Sequence, residues 1–257
     1  MCTFFLYVIV ALSIILESFP LSSSGHILLL QTLFKCNGIG FFLNENIEYF
    51  LHGSTALILA IFFYNRWKLF LIIPRSLPLI QKMFMRGFIT DGITVGAYFI
   101  FFKDNNLLPL WVGFLITGFL ILSLFFCKKS RSNGVWSYSN AFILGVVQAC
   151  ALMPGISRFG STFVAARWLG FSNKKAFELS FLIEWPINVA AALKGGYALY
   201  QHNQLFELLH LKMLLVMLIA SSFALLGLCI MRQIIMNNSL WLFSIYLFLL
   251  AIFTAVI

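Results

Sequence analysis

Apolar residues run through this chain in stretches longer than a soluble helix would need, and polar residues gather in the short segments between them. Six stretches approach the roughly 17–25 mostly apolar residues that a bilayer-spanning helix requires: about 47–65, 86–102, 107–126, 176–200, 211–231 and 239–257. Two further stretches are broken in the middle. Residues 3–34 are interrupted by Glu17-Ser18-Phe19-Pro20-Leu21-Ser22-Ser23-Ser24-Gly25-His26, and residues 136–171 by Met153-Pro154-Gly155-Ile156-Ser157-Arg158-Phe159-Gly160-Ser161-Thr162. Their halves, about 10–16 residues each, are too short to span upright. Irregular backbone at membrane depth is tolerated only where it is buried in protein or lines a cavity. Each broken stretch therefore predicts a re-entrant hairpin, entering and leaving by the same face.

The order is hairpin, three spans, hairpin, three spans. A hairpin makes no net crossing, so each half crosses three times and the second half begins on the opposite face. The expected fold is an all-α integral membrane protein of six transmembrane helices plus two re-entrant helical hairpins in an inverted repeat. Residues 1–257 form one membrane domain, with repeats at about 1–130 and 131–257. The hairpin tips then enter from opposite sides and meet near the midplane.

Composition agrees. The hydrophobic share is 61%, with 30 Phe, and only 10% of residues are charged, too few to cover a water-soluble surface of this size. The net charge is +9, but the Lys and Arg sit in the segments between apolar runs. That placement reads as topology control and attraction to anionic headgroups, with no nucleic acid as partner. One face receives Arg66, Lys68, Arg75, Lys82, Arg86, Lys128, Lys129, Arg131, Lys174, Lys175 and Arg232, and the other Lys35, Lys103 and Lys212. The positive-inside rule puts the first face in the cytoplasm, so the first hairpin opens outward. Cys2, Cys36, Cys127, Cys150 and Cys229 are scattered, without C-x-x-C spacing, and read as small buried side chains. The apolar N-terminus lacks a basic leading region and meets Glu17 at once, which keeps it in the fold.

Ionisable residues at membrane depth are expensive and mark function. The first break carries Glu17 and His26 on either side of Ser22, Ser23, Ser24 and Gly25; the second carries Ser157, Arg158, Gly160 and Thr162. Serine hydroxyls and free N–H groups at the start of a half-helix suit an oxyanion, and an Arg fork suits phosphate oxygens. With a carboxylate and an imidazole added, these are the parts for phosphoryl transfer. Such clusters are also ordinary helix breakers and caps; it is their pairing between half-helices that points to chemistry.

The first break resembles the E-x-x-P-x-S-S-S/T-G-H signature of the undecaprenyl-diphosphate phosphatase family, the bacitracin-resistance type. The run from Gln148 to Thr162 is similar to that family's second signature, Q-x-x-A-x-x-P-G-x-S-R-S-G-x-T. Weaker echoes are His52-Gly53-Ser54-Thr55, Leu115-Ile116-Thr117-Gly118, Leu169-Gly170-Phe171 and the run from Phe177 to Leu182. The resemblance implies a hydrolase that converts undecaprenyl diphosphate to undecaprenyl phosphate, recycling the carrier for cell-wall glycans, in the bacterial inner membrane with an outward-facing site. It implies that His26, or Ser23 activated by it, attacks the terminal phosphorus. Arg158 with Ser157 and Thr162 holds the diphosphate, and Ser22, Ser24, Gly25 and Gly160 complete the substrate-binding tips. Glu17 orients His26 or binds a divalent cation such as Mg²⁺. The expected partners are a polyprenyl diphosphate, bulk membrane lipid and a second copy in a homodimer.

Two positions depart from the pattern. Ser13 stands where the family has an acidic residue one helical turn before Glu17, and Phe159 where Ser is usual. Glu184, in an otherwise apolar run, is a candidate replacement carboxylate; pairing with Lys194 or Arg167, or an interfacial position, are the alternatives. A polyprenyl-phosphate flippase or a degenerate relative would share the architecture, and hydrolysis distinguishes the readings.

Overall fold

Helix starts in this chain are written by small polar residues. Ser137, Ser172 and Asn44 each accept a backbone N–H of the first turn on their side-chain oxygen, at 3.2, 3.4 and 3.0 Å, and such a cap contributes about 1 kcal/mol. Between the starts the residues are long and apolar, and helix is the conformation that satisfies their backbone without water. A computed structural model describes residues 2–36, 44–65, 68, 77–102, 108–127 and 134–257, and every regular element among them is helical. Arg66, Arg75, Lys103, Lys128, Lys129 and Arg131 of the charge tally lie outside the described residues.

The helices are α1 (Cys2–Leu16), α2 (Ser23–Cys36), α3 (Glu45–Phe62), α4 (Leu77–Ala97, continued by a π-helical turn at Tyr98–Phe102) and α5 (Leu110–Leu122, continued by a 3₁₀ turn at Ser123–Phe125). They are followed by α6 (Tyr138–Cys150), α7 (Arg158–Trp168), α8 (Asn173–Gln201), the one-turn α9 (Leu205–Leu208), α10 (Leu211–Met236) and α11 (Phe243–Val256). Both interrupted stretches are helix–break–helix, but the breaks are shorter than the polar runs suggest, 17–22 and 151–157. α4 starts at Leu77, nine residues before its apolar run at 86, because basic residues lower hydropathy without opposing helix. α8 and α10 are long and apolar enough to cross a membrane by length and composition. α3 and α4 carry Glu45, Glu48 and His52, and Lys82, Arg86 and Asp91, within their length.

Four pairings hold the bundle: α3 with α8, α5 with α11, α4 with α6, and α1 with α10. Each has small residues at the crossing, the usual device of helices that cannot rely on water to drive them together. A Cβ added at Gly195 of α8 would lie 2.5 Å from the Asn46 carbonyl and the Phe50 nitrogen of α3, and one at Gly118 of α5 would lie 2.7 Å from the Phe248 ring of α11. α10 turns buried Ala220, Ala224 and Gly227 inward and Leu218, Phe223 and Leu226 outward. The core between α3, α7 and α8 is aromatic. Phe159 stacks on Phe181 at 4.4 Å between centroids and meets Phe177 edge-on at 5.9 Å, so the Phe that replaces the family's usual Ser is a packing residue, 2% exposed.

Candidate active site

The two breaks are built alike. In the first, Ser22 accepts the Gly25 N–H on its hydroxyl at 3.2 Å and α2 begins; in the second, Ser157 accepts the Gly160 N–H at 3.0 Å and α7 begins. Both are Ser-x-x-Gly caps, and at each third position a glycine lets the opposite break come close. A Cβ on Gly25 would stand 2.9 Å from the Gly155 Cα, and one on Gly160 would stand 3.4 Å from the Pro20 carbonyl oxygen. Gly155 itself has φ of +83°, the left-handed region that glycine enters without strain. The two tips therefore touch backbone to backbone.

Each tip is fastened from outside its own helix pair. Thr117 of α5 accepts the Ser157 N–H at 3.1 Å and donates to the Gly155 and Gly113 carbonyls at 3.1 and 3.0 Å. At the first tip, Ser18 donates to the Ala224 carbonyl of α10 at 3.0 Å.

A cavity of about 540 Å³ opens where the tips meet. Glu17, Ser22, Ser23 and Ser24 line it from the first tip, and Pro154, Ile156, Ser157, Arg158 and Phe159 from the second. The first residues of both half-helices line it, so two positive dipole ends converge. α3 adds Glu45, Glu48, Tyr49 and His52, and α8 adds Glu184 and Lys194. Four of the chain's eight acidic residues thus line one cavity.

A chain of polar contacts runs across it. The Glu17 carboxylate oxygen Oε1 is 2.6 Å from His52 Nδ1, Arg158 Nη2 is 3.5 Å from the same nitrogen, and Arg158 Nε is 3.8 Å from Glu184 Oε1. The second oxygens, Glu17 Oε2 and Glu184 Oε2, are buried and outside hydrogen-bond geometry among the described residues, with the Thr55 hydroxyl beside the Glu17 carboxylate and the Asn188 amide beside that of Glu184. No group of three or more His, Cys, Asp or Glu is arranged to hold a metal unaided among those residues. Lys194 Nζ sits over the Tyr49 ring at 4.4 Å, and Arg167 donates to the Phe171 carbonyl; Glu184 contacts Arg158 in preference to either.

Some expected site residues stand elsewhere. His26 does not line the cavity. Its Nδ1 is 2.6 Å from the Ser22 carbonyl oxygen and its Nε2 is 2.8 Å from the Tyr246 hydroxyl of α11; its ring is parallel to Tyr246 and edge-on to Phe114. Ser23, Ser24, Ile27, Leu28 and Gln31 make the cavity face of α2, and His26, about 60° beyond Ser23 on the opposite flank, packs against Tyr246 and Phe114 instead. Gly25, Gly160 and Thr162 are also absent from the lining; the glycines serve tip contact, and the Thr162 hydroxyl donates to the Arg158 carbonyl at 2.8 Å. The residue the motifs left in the background is His52. The signal for it was present: Glu45, Glu48, Tyr49 and His52 fall at i, i+3, i+4 and i+7, a polar face on a largely apolar helix.

Residues 10–253 match the family of the bacitracin resistance protein BacA. Among curated relatives, undecaprenyl-diphosphatase 4 of Bacillus thuringiensis subsp. konkukian is 30% identical over 240 residues, 92% of this chain and 90% of that protein. The undecaprenyl-diphosphatase of Borrelia garinii subsp. bavariensis is 31% identical over 256 residues, 93% of this chain and 91% of its own. That of Halothermothrix orenii is 33% identical over 180 residues, 69% of this chain and 68% of its own.

Proposed function

We propose that this chain, which belongs to the bacitracin resistance protein BacA family, hydrolyses undecaprenyl diphosphate to undecaprenyl phosphate and inorganic phosphate. The observation that carries the reading is the convergence of Ser23, Arg158 and both half-helix N-termini on one cavity. A carrier would need the anion cradle but no nucleophile, and the relatives' names are those of phosphatases.

Arg158 and the α7 N-terminus hold the terminal phosphoryl oxygens, and the charge that spreads over them in the transition state meets donors already in place. Between the two candidate attackers, Ser23 is favoured because it lines the cavity and His26 does not. The Ser23 hydroxyl attacks the terminal phosphorus, the bond to the bridging oxygen breaks, and undecaprenyl phosphate leaves. The hydroxyl proton passes to the His52–Glu17 pair. Water then cleaves the phosphoserine, and Ser23 regains a proton from the same pair. His26 acts as a positioning residue, its ring tying the Ser22 carbonyl to Tyr246 of α11.

The divalent cation implied by the family fits this donor set, since the buried Glu17 carboxylate keeps one oxygen unpaired beside the phosphate position. Glu17 would hold it, and it would supply positive charge to the phosphoryl oxygens.

The membrane architecture belongs to the same proposal: six crossings and two re-entrant hairpins as an inverted repeat, in the bacterial inner membrane, with the site facing outward. The helix pairing supports it. If α1–α5 correspond to α6, α7, α8, α10 and α11, then α3–α8 and α5–α11 are pairs of equivalents. The pairing α4–α6 then becomes the mate of α10–α1, as a two-fold relation requires. The matched Ser-x-x-Gly caps agree.

Phosphate release from undecaprenyl diphosphate by the purified protein tests the reaction. Arg158→Ala should lower kcat/KM by about 10²–10³-fold, the usual cost of removing one transition-state charge stabiliser. A purified wild-type protein that releases no phosphate would rule the phosphatase out.

A further inference from the structure

Glu184 lies in the run Phe181-Leu182-Ile183-Glu184-Trp185-Pro186 of α8, an apolar setting where a carboxylate is costly. It is 6% exposed, and it is aimed into the cavity that Glu17 lines from the other half of the chain. Its Oε1 has Arg158 Nε at 3.8 Å, a long ion pair, and its Oε2 is buried without a partner. Glu17, 7% exposed, is in the same condition, with Oε1 on His52 and Oε2 unpaired. Two buried carboxylates thus face one cavity in which Arg158 reaches Glu184, His52 reaches Glu17 and Lys194 is drawn onto the Tyr49 ring, and a diphosphate entering it brings more negative charge. Buried carboxylates are paired with another charge or coordinate a metal, and each of these two keeps one oxygen that its partner does not reach.

We infer that Glu184 and Glu17, one from each half of the chain, are the two protein carboxylates of a divalent-cation site that bridges the halves. The chemical class is a hard cation of the Mg²⁺, Mn²⁺ or Ca²⁺ type, because the free donors are carboxylate oxygens and such ions complete their shell with water and phosphate oxygens. On this assignment Glu184 supplies the acidity that Ser13, 2% exposed on α1, does not bring to the first hairpin. The role of the ion, neutralising the diphosphate, rests on the phosphatase reading; its binding does not.

The test reads binding directly. Mn²⁺ is titrated into the purified full-length chain in micelles without lipid substrate, uptake is followed by the electron paramagnetic resonance of the free ion, and the melting temperature is recorded with and without Mn²⁺. Wild type should take up Mn²⁺ and be stabilised by it. Glu184→Gln and Glu17→Gln should each raise the Kd tenfold or more and abolish the stabilisation. Glu178→Gln, remote from the cavity, should behave as wild type. The metal-free melting temperature reports whether each variant is folded, and Glu184→Asp, which keeps the charge, should recover part of the affinity if Glu184→Gln does not fold. Binding by Glu184→Gln as tight as wild type, or no uptake by wild type, overturns the site. Phosphate release by wild type is measured in parallel. Turnover with undiminished Mn²⁺ binding in Glu184→Gln rejects the cation site and leaves the phosphatase. Lost Mn²⁺ binding in Glu184→Gln with no wild-type turnover does the reverse.

Discussion

The two hairpin tips share a capping plan and differ in what they carry. The second tip is the better fastened: Thr117 takes one of its N–H groups and gives its proton to two of the carbonyls around it. It presents a permanently charged Arg158 at the head of α7. The first tip is held by Ser18 to the α10 backbone and by His26 to Tyr246, and it presents a hydroxyl, Ser23, and a carboxylate, Glu17. On the proposed reading one tip is a fixed anion cradle, and the other brings the groups that change bonding or protonation. The difference teaches why two half-helices are needed. A single N-terminus can bind phosphate, but attack on it requires a nucleophile arriving from another direction.

The largest effect should come from separating the two residues of the first tip that the motif treats as equals. Ser23→Ala is expected to lower kcat by about 10⁴-fold or more with KM little changed, as loss of a covalent nucleophile does. His26→Gln is expected to stay within about tenfold, because an amide can still reach the Ser22 carbonyl and Tyr246. Steady-state phosphate release decides it, and the reverse order would make His26 the attacker.

Smaller effects should sharpen the contrast in fastening. Thr117→Val leaves the Ser157 N–H and the Gly155 carbonyl buried without their partner, at a cost of about 1–3 kcal/mol in stability. Ser18→Ala removes one hydrogen bond at the first tip and should cost about 1 kcal/mol. Denaturation in micelles compares them; equal losses would mean the tips are fastened alike.

Much of this was legible in the residues. The two interruptions, their half-helices and the residues at their tips follow from apolar length and from Pro, Ser and Gly, which act locally. Which flank of a helix meets a cavity was not legible, because tertiary packing decides it. Ser23 and His26 lie about 60° apart round α2, and it is Phe114 and Tyr246, distant in sequence, that seat His26 outside the cavity lining. The place of His52 in the site is hidden for a related reason. Its partners Glu17 and Arg158 are distant in sequence, and only its spacing from Glu45 and Glu48 hinted at a shared face. Phe159 looked like a damaged motif position, yet its stacking on Phe181 is a tertiary fact that no local pattern contains.

The claim beneath all of this is that residues of the two tips work on one phosphate together. A double-mutant cycle on kcat/KM for phosphate release, using Ser23→Ala, Arg158→Lys and the pair, tests it most directly. Groups that share a substrate should couple by about 1 kcal/mol or more, so the double variant is less impaired than the product of the two single losses. Losses that add to within about 0.3–0.5 kcal/mol would mean that the two tips act in separate places, and would contradict the account.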